Sequence, residues 1–299
     1  VTPRLPWRHL LLGVVVVAVW GSNFVVIKAA LAHLPPLLLA ALRFAIAFVP
    51  AALVVPRPPV PWRQLAAYGV LIGAGQFGLL FLAMTSWISP GLASLVIQTQ
   101  VFFTIGLAAL LARERVRPLQ WIGLGCAAAG LALIAWRADA SATPLGVALV
   151  LFAAASWAAG NLVGRRAGRV DMLGYMVWSS AFAVPPLLLL SLWFEGPQAI
   201  AQGLRDADAP TWAAVAWQAA GNTLFGYAAW GWLLARHAAA TVAPLALGVP
   251  VFGMATSAWW LGEPLPAWKL FAAALVLLGL ALNLLWPFAE AALRRRDAA

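Results

Sequence analysis

The sequence predicts an all-α membrane protein of ten transmembrane helices, arranged as two inverted five-helix repeats. Three observations lead there. Hydrophobic residues make up 64% of the chain and charged residues only 9%. The apolar residues fall in continuous runs of about 20, the length a helix needs to cross the hydrocarbon core. Related stretches also open the two halves of the chain. Runs that are continuous rather than alternating exclude a transmembrane β-barrel.

In chain order the expected spans cover about 10–32, 36–55, 64–87, 91–112, 118–136, 145–165, 172–193, 211–235, 239–261 and 265–287. Prolines punctuate the breaks at Pro35-Pro36, Pro56 to Pro61, Pro90, Pro118, Pro144, Pro210, Pro264 and Pro266, where helix starts and turns tolerate them. The longest connection, about 194–210, carries Glu195, Arg205, Asp206 and Asp208 and reads as a soluble loop. The first apolar run is too long for a cleaved signal peptide. The lone Cys126 permits no intrachain disulfide and no cysteine metal cluster.

Lys and Arg set the orientation. Arg4, Arg8, Arg57, Arg63, Arg113, Arg115, Arg117, Arg165, Arg166, Arg169, Arg236 and Arg294 to Arg296 fall on the side of the N-terminus. The other side holds only Lys28, Arg137, Arg205 and Lys269, so both termini are expected in the cytoplasm. The formal charge of +10 therefore reads as a topology signal rather than a nucleic-acid surface.

Trp20-Gly21-Ser22-Asn23, with Lys28 eight places after the tryptophan, returns as Trp157-Ala158-Ala159-Gly160-Asn161 with Arg165. A second echo joins Leu110 to Val116 with Trp260 to Leu265, where Glu114 and Glu263 each end a span; they are expected to cap or pair with basic neighbours, with a coupling carboxylate as the alternative. Five spans per half is an odd number, so the second half must enter the membrane from the opposite side. The repeats are expected at 1–138 and 139–299, with a central site between them.

Polar groups at mid-depth are costly unless they pair or face a cavity, which makes each one a lead. They are Trp20, Ser22 and Asn23; Gln76; Ser94, Gln98, Thr99, Gln100 and Thr104; Ser156, Trp157 and Asn161; Tyr175, Trp178 and Ser179; Asn222, Tyr227 and Trp230. On an ideal helix Gln98 and Gln100 are about 200° apart, so only one is expected to face a cavity. Arg43 is the one basic residue well inside a span, with snorkelling, helix packing and a carboxylate contact all open to it. Trp7, Trp62, Trp121, Trp193, Trp212, Trp259, Trp260, Trp268 and Trp286 sit near span ends and read as an interfacial belt. The fifth and tenth spans carry small residues (Gly123, Ala127, Gly130) that suit helix packing and mark them as peripheral and as a candidate dimer face.

No Asp or Glu lies at mid-depth, and His9, His33 and His237 sit at span ends. A proton relay, a metal cluster, a Ser/His/Asp arrangement and a phosphate loop are all missing, so no enzyme and no cofactor are expected.

At this point the chain resembles the drug/metabolite transporter superfamily, in its EamA-type branch. Trp20-Gly21-Ser22-Asn23 with Lys28, Leu42-Arg43-Phe44, and Glu114 with Gln120-Trp121 carry the likeness. The stretch from Gly91 to Thr104 is similar to bacterial exporters of aromatic amino acids and cysteine-pathway metabolites. The resemblance implies ten helices, inverted repeats and a central cavity lined mainly by helices other than the fifth and tenth. Pro244 and Pro250 stand where the first half has its glutamines, which argues against a symmetric polar site.

The expected function is export of amino acids and related small metabolites across the inner membrane by alternating access. Trp20, Asn23, Gln76, Ser94, Gln98, Trp157, Asn161, Trp178 and Asn222 are the candidate substrate residues, and Pro185, Pro244 and Pro250 the candidate hinges. The expected partners are a small-molecule substrate and lipid, with no nucleic acid, for a monomer or a homodimer. A cationic-drug exporter and a non-transporting scaffold or receptor are the alternatives. A sugar-phosphate carrier would call for several basic residues in the cavity.

Overall fold

In the computed structural model, which describes residues 5–112, 118–137, 141–168, 170–237 and 239–297, the chain is a bundle of helices. We number the long ones α1 (Trp7–Ala30), α2 (Pro36–Leu53), α3 (Trp62–Ser86), α4 (Pro90–Leu110), α5 (Pro118–Trp136), α6 (Pro144–Arg165) and α7 (Met172–Phe194). They are followed by α8 (209–236), α9 (Ala243–Leu261) and α10 (Ala267–Asp297). Among the described residues, α1 to α7 and α9 are long and apolar enough to cross a membrane, and Ala267–Asn283 of α10 is a shorter apolar helix. No strand occurs among them beyond an isolated bridge between Ile88 and Ala142. Glu114 and the neighbouring Arg113, Arg115 and Arg117 lie outside the described residues.

Prolines start many of these helices because their missing N–H costs nothing there. Pro36, Pro90 and Pro144 each stand in the first helical turn. Side chains satisfy some of the remaining free amides: Thr143 accepts from Gly146 N, Asp171 from Gly174 N and Asp208 from Thr211 N. The Thr211 hydroxyl and N–H, both bonded to Asp208, hold that exposed carboxyl below its ordinary value. The α2 amides are met from across the molecule, where Glu195 accepts from Leu37 N at 2.6 Å and Leu38 N at 3.1 Å. The connection expected as a loop at 194–210 is in fact a surface helix, Gly196–Asp206, docked by Gly203 against Pro35. Its inward face, Ile200 and Gly203 followed by Ala207 just past its end, is hidden in the sequence by the charges of Arg205 and Asp206.

The packing crosses between the halves of the chain. α1 lies along α9 and against α8, α6 lies along α4 and against α3, and α2 and α3 both pack on α7. Close approach depends on glycine where backbones meet. A Cβ on Gly21 of α1 would stand 2.5 Å from Val249 O of α9. α5 and α10 form a separate pair in which Gly123 meets Gly279 and Asn283, and Gly130 meets Ala272. The small-residue face of α5 is thus used inside the chain and is not available to a second copy.

Candidate functional site

A cavity of 370 Å³ lies between α1, α3, α4, α6, α8 and α9, with Met172 of α7 and Leu280 of α10 at its edges. Its size falls within the range of about 300–1,000 Å³ typical of small-molecule sites. Seven of the sequence-predicted residues line it: Trp20, Asn23, Gln76, Gln98, Trp157, Asn161 and Asn222. Among the described residues, neither α2 nor α5 contributes to the lining.

Four helices change their winding at this cavity. Leu71–Gly78 of α3 and Gln218–Phe225 of α8 are π-helical, and Ile97–Thr99 of α4 and Ala243–Leu247 of α9 are 3-10. Such segments re-aim side chains and leave carbonyls imperfectly bonded, which lipid could not satisfy. Polar side chains from neighbouring helices take up that role. The Ser156 hydroxyl donates to Leu71 O at 2.8 Å, the Trp20 indole to Asn222 O at 3.1 Å, and the Gln98 amide to Ala246 O at 3.4 Å. Trp20 therefore offers the cavity its ring face rather than its N–H. The ring is packed at a tilt against Tyr227 and Trp230, with ring centroids 5.7 and 5.2 Å away.

Two predicted residues stand elsewhere. Ser94 is fully buried, donates to Gly91 O and fills the α4–α9 crossing against Gly253, so it packs helices and does not reach the cavity. Trp178 donates to Val55 O and meets Phe48 and Trp62 edge to face outside the cavity. Among the proposed hinges, Pro250 is buried in α9, Pro244 stands in its 3-10 segment and Pro185 faces outward from α7.

The expectation that Gln98 and Gln100 face apart fails. Both line the cavity, and Gln100 Oε1 accepts from Asn161 Nδ2 at 2.9 Å. On an α-helix the two lie about 160° apart by the shorter route. The 3-10 turn at Ile97–Thr99 narrows that to about 120°. Tyr68, Phe77, Met172, Tyr227 and Trp230 also line the cavity without having been assigned to it. A usable signal existed for Tyr227 and Trp230, which are three places apart on one helical face just after Asn222.

Among the described residues, none that lines the cavity is charged. Asn23 is 3% exposed, and its buried Oδ1 has no hydrogen-bond partner. Amides and aromatic faces can bind and orient a polar, partly apolar molecule, but they supply no nucleophile with an adjacent base. Among the described residues no three His, Cys, Asp or Glu side chains cluster in a way that could hold a metal.

At the end of the bundle where α4 begins and α9 ends, Glu263 accepts from Ser89 Oγ, Ser257 Oγ, Gly91 N and Lys269 Nζ, tying α4, α9 and α10 together. Nearby, Lys28 Nζ donates to Met84 O at 2.9 Å and Thr85 O at 2.7 Å at the end of α3. The expected interfacial role of Glu263, pairing with a basic neighbour, matches this geometry.

Comparison with known proteins places these features in a family. The model of the EamA-like transporter family matches twice, over residues 7–136 and 144–285. The chain belongs to the EamA-like transporter family. Like the family, it is a multi-pass membrane transporter and not an enzyme. A probable amino-acid metabolite efflux pump of Salmonella typhimurium is 42% identical over 279 residues, covering 91% of this chain and 93% of the relative. The Escherichia coli protein of the same description is 39% identical over 278 residues, with the same shares covered. A solved crystal structure at 21% identity superposes with a TM-score of 0.63, covering 95% of this chain and 98% of the other, and shares the fold.

Proposed function

We propose that this EamA-family chain exports amino acids and closely related small metabolites across the inner membrane by alternating access. In this reading ten spans form two inverted halves, 1–138 and 139–299, with both termini in the cytoplasm. The observation that carries it is the cavity between the halves, walled by the amides of Asn23, Gln76, Gln98, Asn161 and Asn222 and by aromatic rings. Amides match the polar end of an amino acid, and the rings of Trp20, Trp157 and Trp230 suit its side chain. The two relatives described as amino-acid metabolite efflux pumps support the substrate class.

Support for inverted halves comes from paired irregularities. Numbering each helix five places on exchanges the π segments of α3 and α8 and the 3-10 segments of α4 and α9. It also exchanges the α1–α9 packing with α6–α4, and α3–α7 with α8–α2. The family model matching once in each half points the same way.

The test is flux from proteoliposomes over a panel of labelled amino acids, with cationic drugs as the comparison. Saturable movement of one or more amino acids, lost in empty liposomes, is expected. Movement of cationic drugs alone would refute the substrate class. A reconstituted, folded protein that moves nothing would refute transport by this chain.

A further inference from the structure

We propose that Arg43, acting through Phe77, sets the charge preference of the cavity, so that it accepts molecules with a free carboxylate and rejects those carrying only a cation. This rests on the amino-acid export reading and adds to it the feature of the substrate that is recognised.

The observation is a buried cation without a counter-charge. Arg43 is 1% exposed, and its Nη2 donates to Thr223 Oγ1 at 2.8 Å. Its Nε and Nη1 have no hydrogen-bond partner. The rest of its shell is aromatic, with the guanidinium carbon 3.9 Å from the Phe77 ring centroid and 5.0 Å from that of Phe44. Among the described residues no acid lines the cavity, and Glu263 is taken up by Lys269 elsewhere in the bundle. Burying a guanidinium is costly, and removing its partner from a buried pair is costlier still. No ion pair holds Arg43 among the described residues. It is stacked on a ring that forms part of the cavity wall and bonded to the residue beside Asn222, another lining residue.

Phe77 therefore separates the guanidinium from the space a ligand would occupy. A cation already held on one face of the ring repels a second on the other. A ligand charge in van der Waals contact with the far face would lie about 8 Å from the guanidinium carbon. At an effective dielectric constant of about 20, that distance favours a carboxylate over a neutral group by roughly tenfold to thirtyfold. It disfavours a lone ammonium by a similar factor. Asn23, whose buried Oδ1 has no partner, belongs to the same wall.

The test uses the purified full-length protein and its intrinsic tryptophan fluorescence, since Trp20, Trp157 and Trp230 line the cavity. The probes are N-acetylphenylalanine (an anion), its neutral amide, and phenylalanine amide (a cation). Wild type should bind the anion roughly tenfold to thirtyfold tighter than the neutral amide, and the cation weakest. Arg43→Met should bring that ratio close to one, while Arg43→Lys preserves most of it. An arginine that only holds helices together would weaken all three probes alike. An unchanged ratio in folded Arg43→Met overturns the proposal. Should that variant not fold, the wild-type series decides: equal binding of anion and neutral amide overturns the proposal while leaving phenylalanine transport, and so the export reading, intact. Failure of all three probes, together with absence of amino-acid flux, overturns both.

Discussion

Replacing Lys269 or Glu263 removes one half of an ion pair that is almost closed to water, with side-chain exposures of 1% and 7% and a separation of 3.1 Å. Breaking a buried pair from one side costs about 3–5 kcal/mol, because the remaining charge is left stranded. The two sides are not equivalent here. After Lys269→Met, Glu263 still accepts from Ser89, Ser257 and Gly91, and hydrogen bonds to a charged group are worth about 1.5–3 kcal/mol each. The loss should sit near the lower end, about 3 kcal/mol. After Glu263→Gln the Lys269 ammonium keeps only an amide oxygen in place of a carboxylate, so the loss should approach about 5 kcal/mol. For a chain of this size each kcal/mol moves the midpoint by roughly 2 °C, giving decreases of about 6 and 10 °C. The double variant Glu263→Gln/Lys269→Met strands no charge and should lose less than the sum of the two by at least about 2 kcal/mol. Thermal unfolding in one detergent at one scan rate reads all three, because membrane proteins unfold irreversibly and the rate matters. Additive losses, or a Glu263→Gln midpoint within about 1 °C of wild type, would show that the pair does not tie α4, α9 and α10 together.

In the cavity, Asn23→Ala, Gln98→Ala and Asn161→Ala should each leave folded protein and weaken apparent substrate affinity by roughly threefold to tenfold. Gln100→Ala should do the same, because it frees the Asn161 amide; wild-type flux in that variant would show the Gln100–Asn161 bond to be idle. Gly21→Ala should destabilise by about 1–3 kcal/mol, since its Cβ would meet Val249 O at 2.5 Å and Gly253 N at 2.9 Å. Gly106→Ala, with open space around it, should be neutral or slightly stabilising, and equal thermal midpoints for the two would contradict the packing of α1 on α9. With no acid among the described lining residues, substrate should move down its own gradient or by exchange when no pH difference is imposed; strict dependence on a proton gradient would bring Glu114, Glu263 or His237 into the mechanism. Cysteines placed at Thr2 and Asp206 in a Cys126→Ala background should label from opposite faces of the membrane, and labelling from the same face would end the inverted-halves reading.

Hydrocarbon leaves a backbone no water to bond, so long apolar runs must become helices, and prolines between them mark where each begins. That is why the helical stretches from Trp7 to Asp297 were legible locally, as were the amides that mark candidate sites. A helix hidden in a polar connection, Gly196–Asp206, was not, because its stripe of apolar residues is narrow and interrupted by charge.

The cavity's composition was read in advance for seven lining residues, and the reasons the rest escaped are physical. Whether a buried serine or indole faces a ligand or a neighbouring helix depends on what lies opposite it. Ser94 and Trp178 look in sequence like Asn23 and Trp157, yet Gly91 O and Val55 O claim them. Gln100 required knowing that α4 tightens to 3-10 over three residues, a change no periodicity of 3.6 announces. Hydropathy and spacing are properties of neighbouring residues, so the sequence by itself determined the helices, their apolar character and the polar residues worth suspecting. The winding of α3, α4, α8 and α9, and the side chain that answers each loosened carbonyl, join residues far apart in the chain, as Trp20 with Asn222. Those pairings exist only once the helices have packed, and so the shape of the cavity and the unpaired charge of Arg43 behind it were decided by the tertiary structure alone.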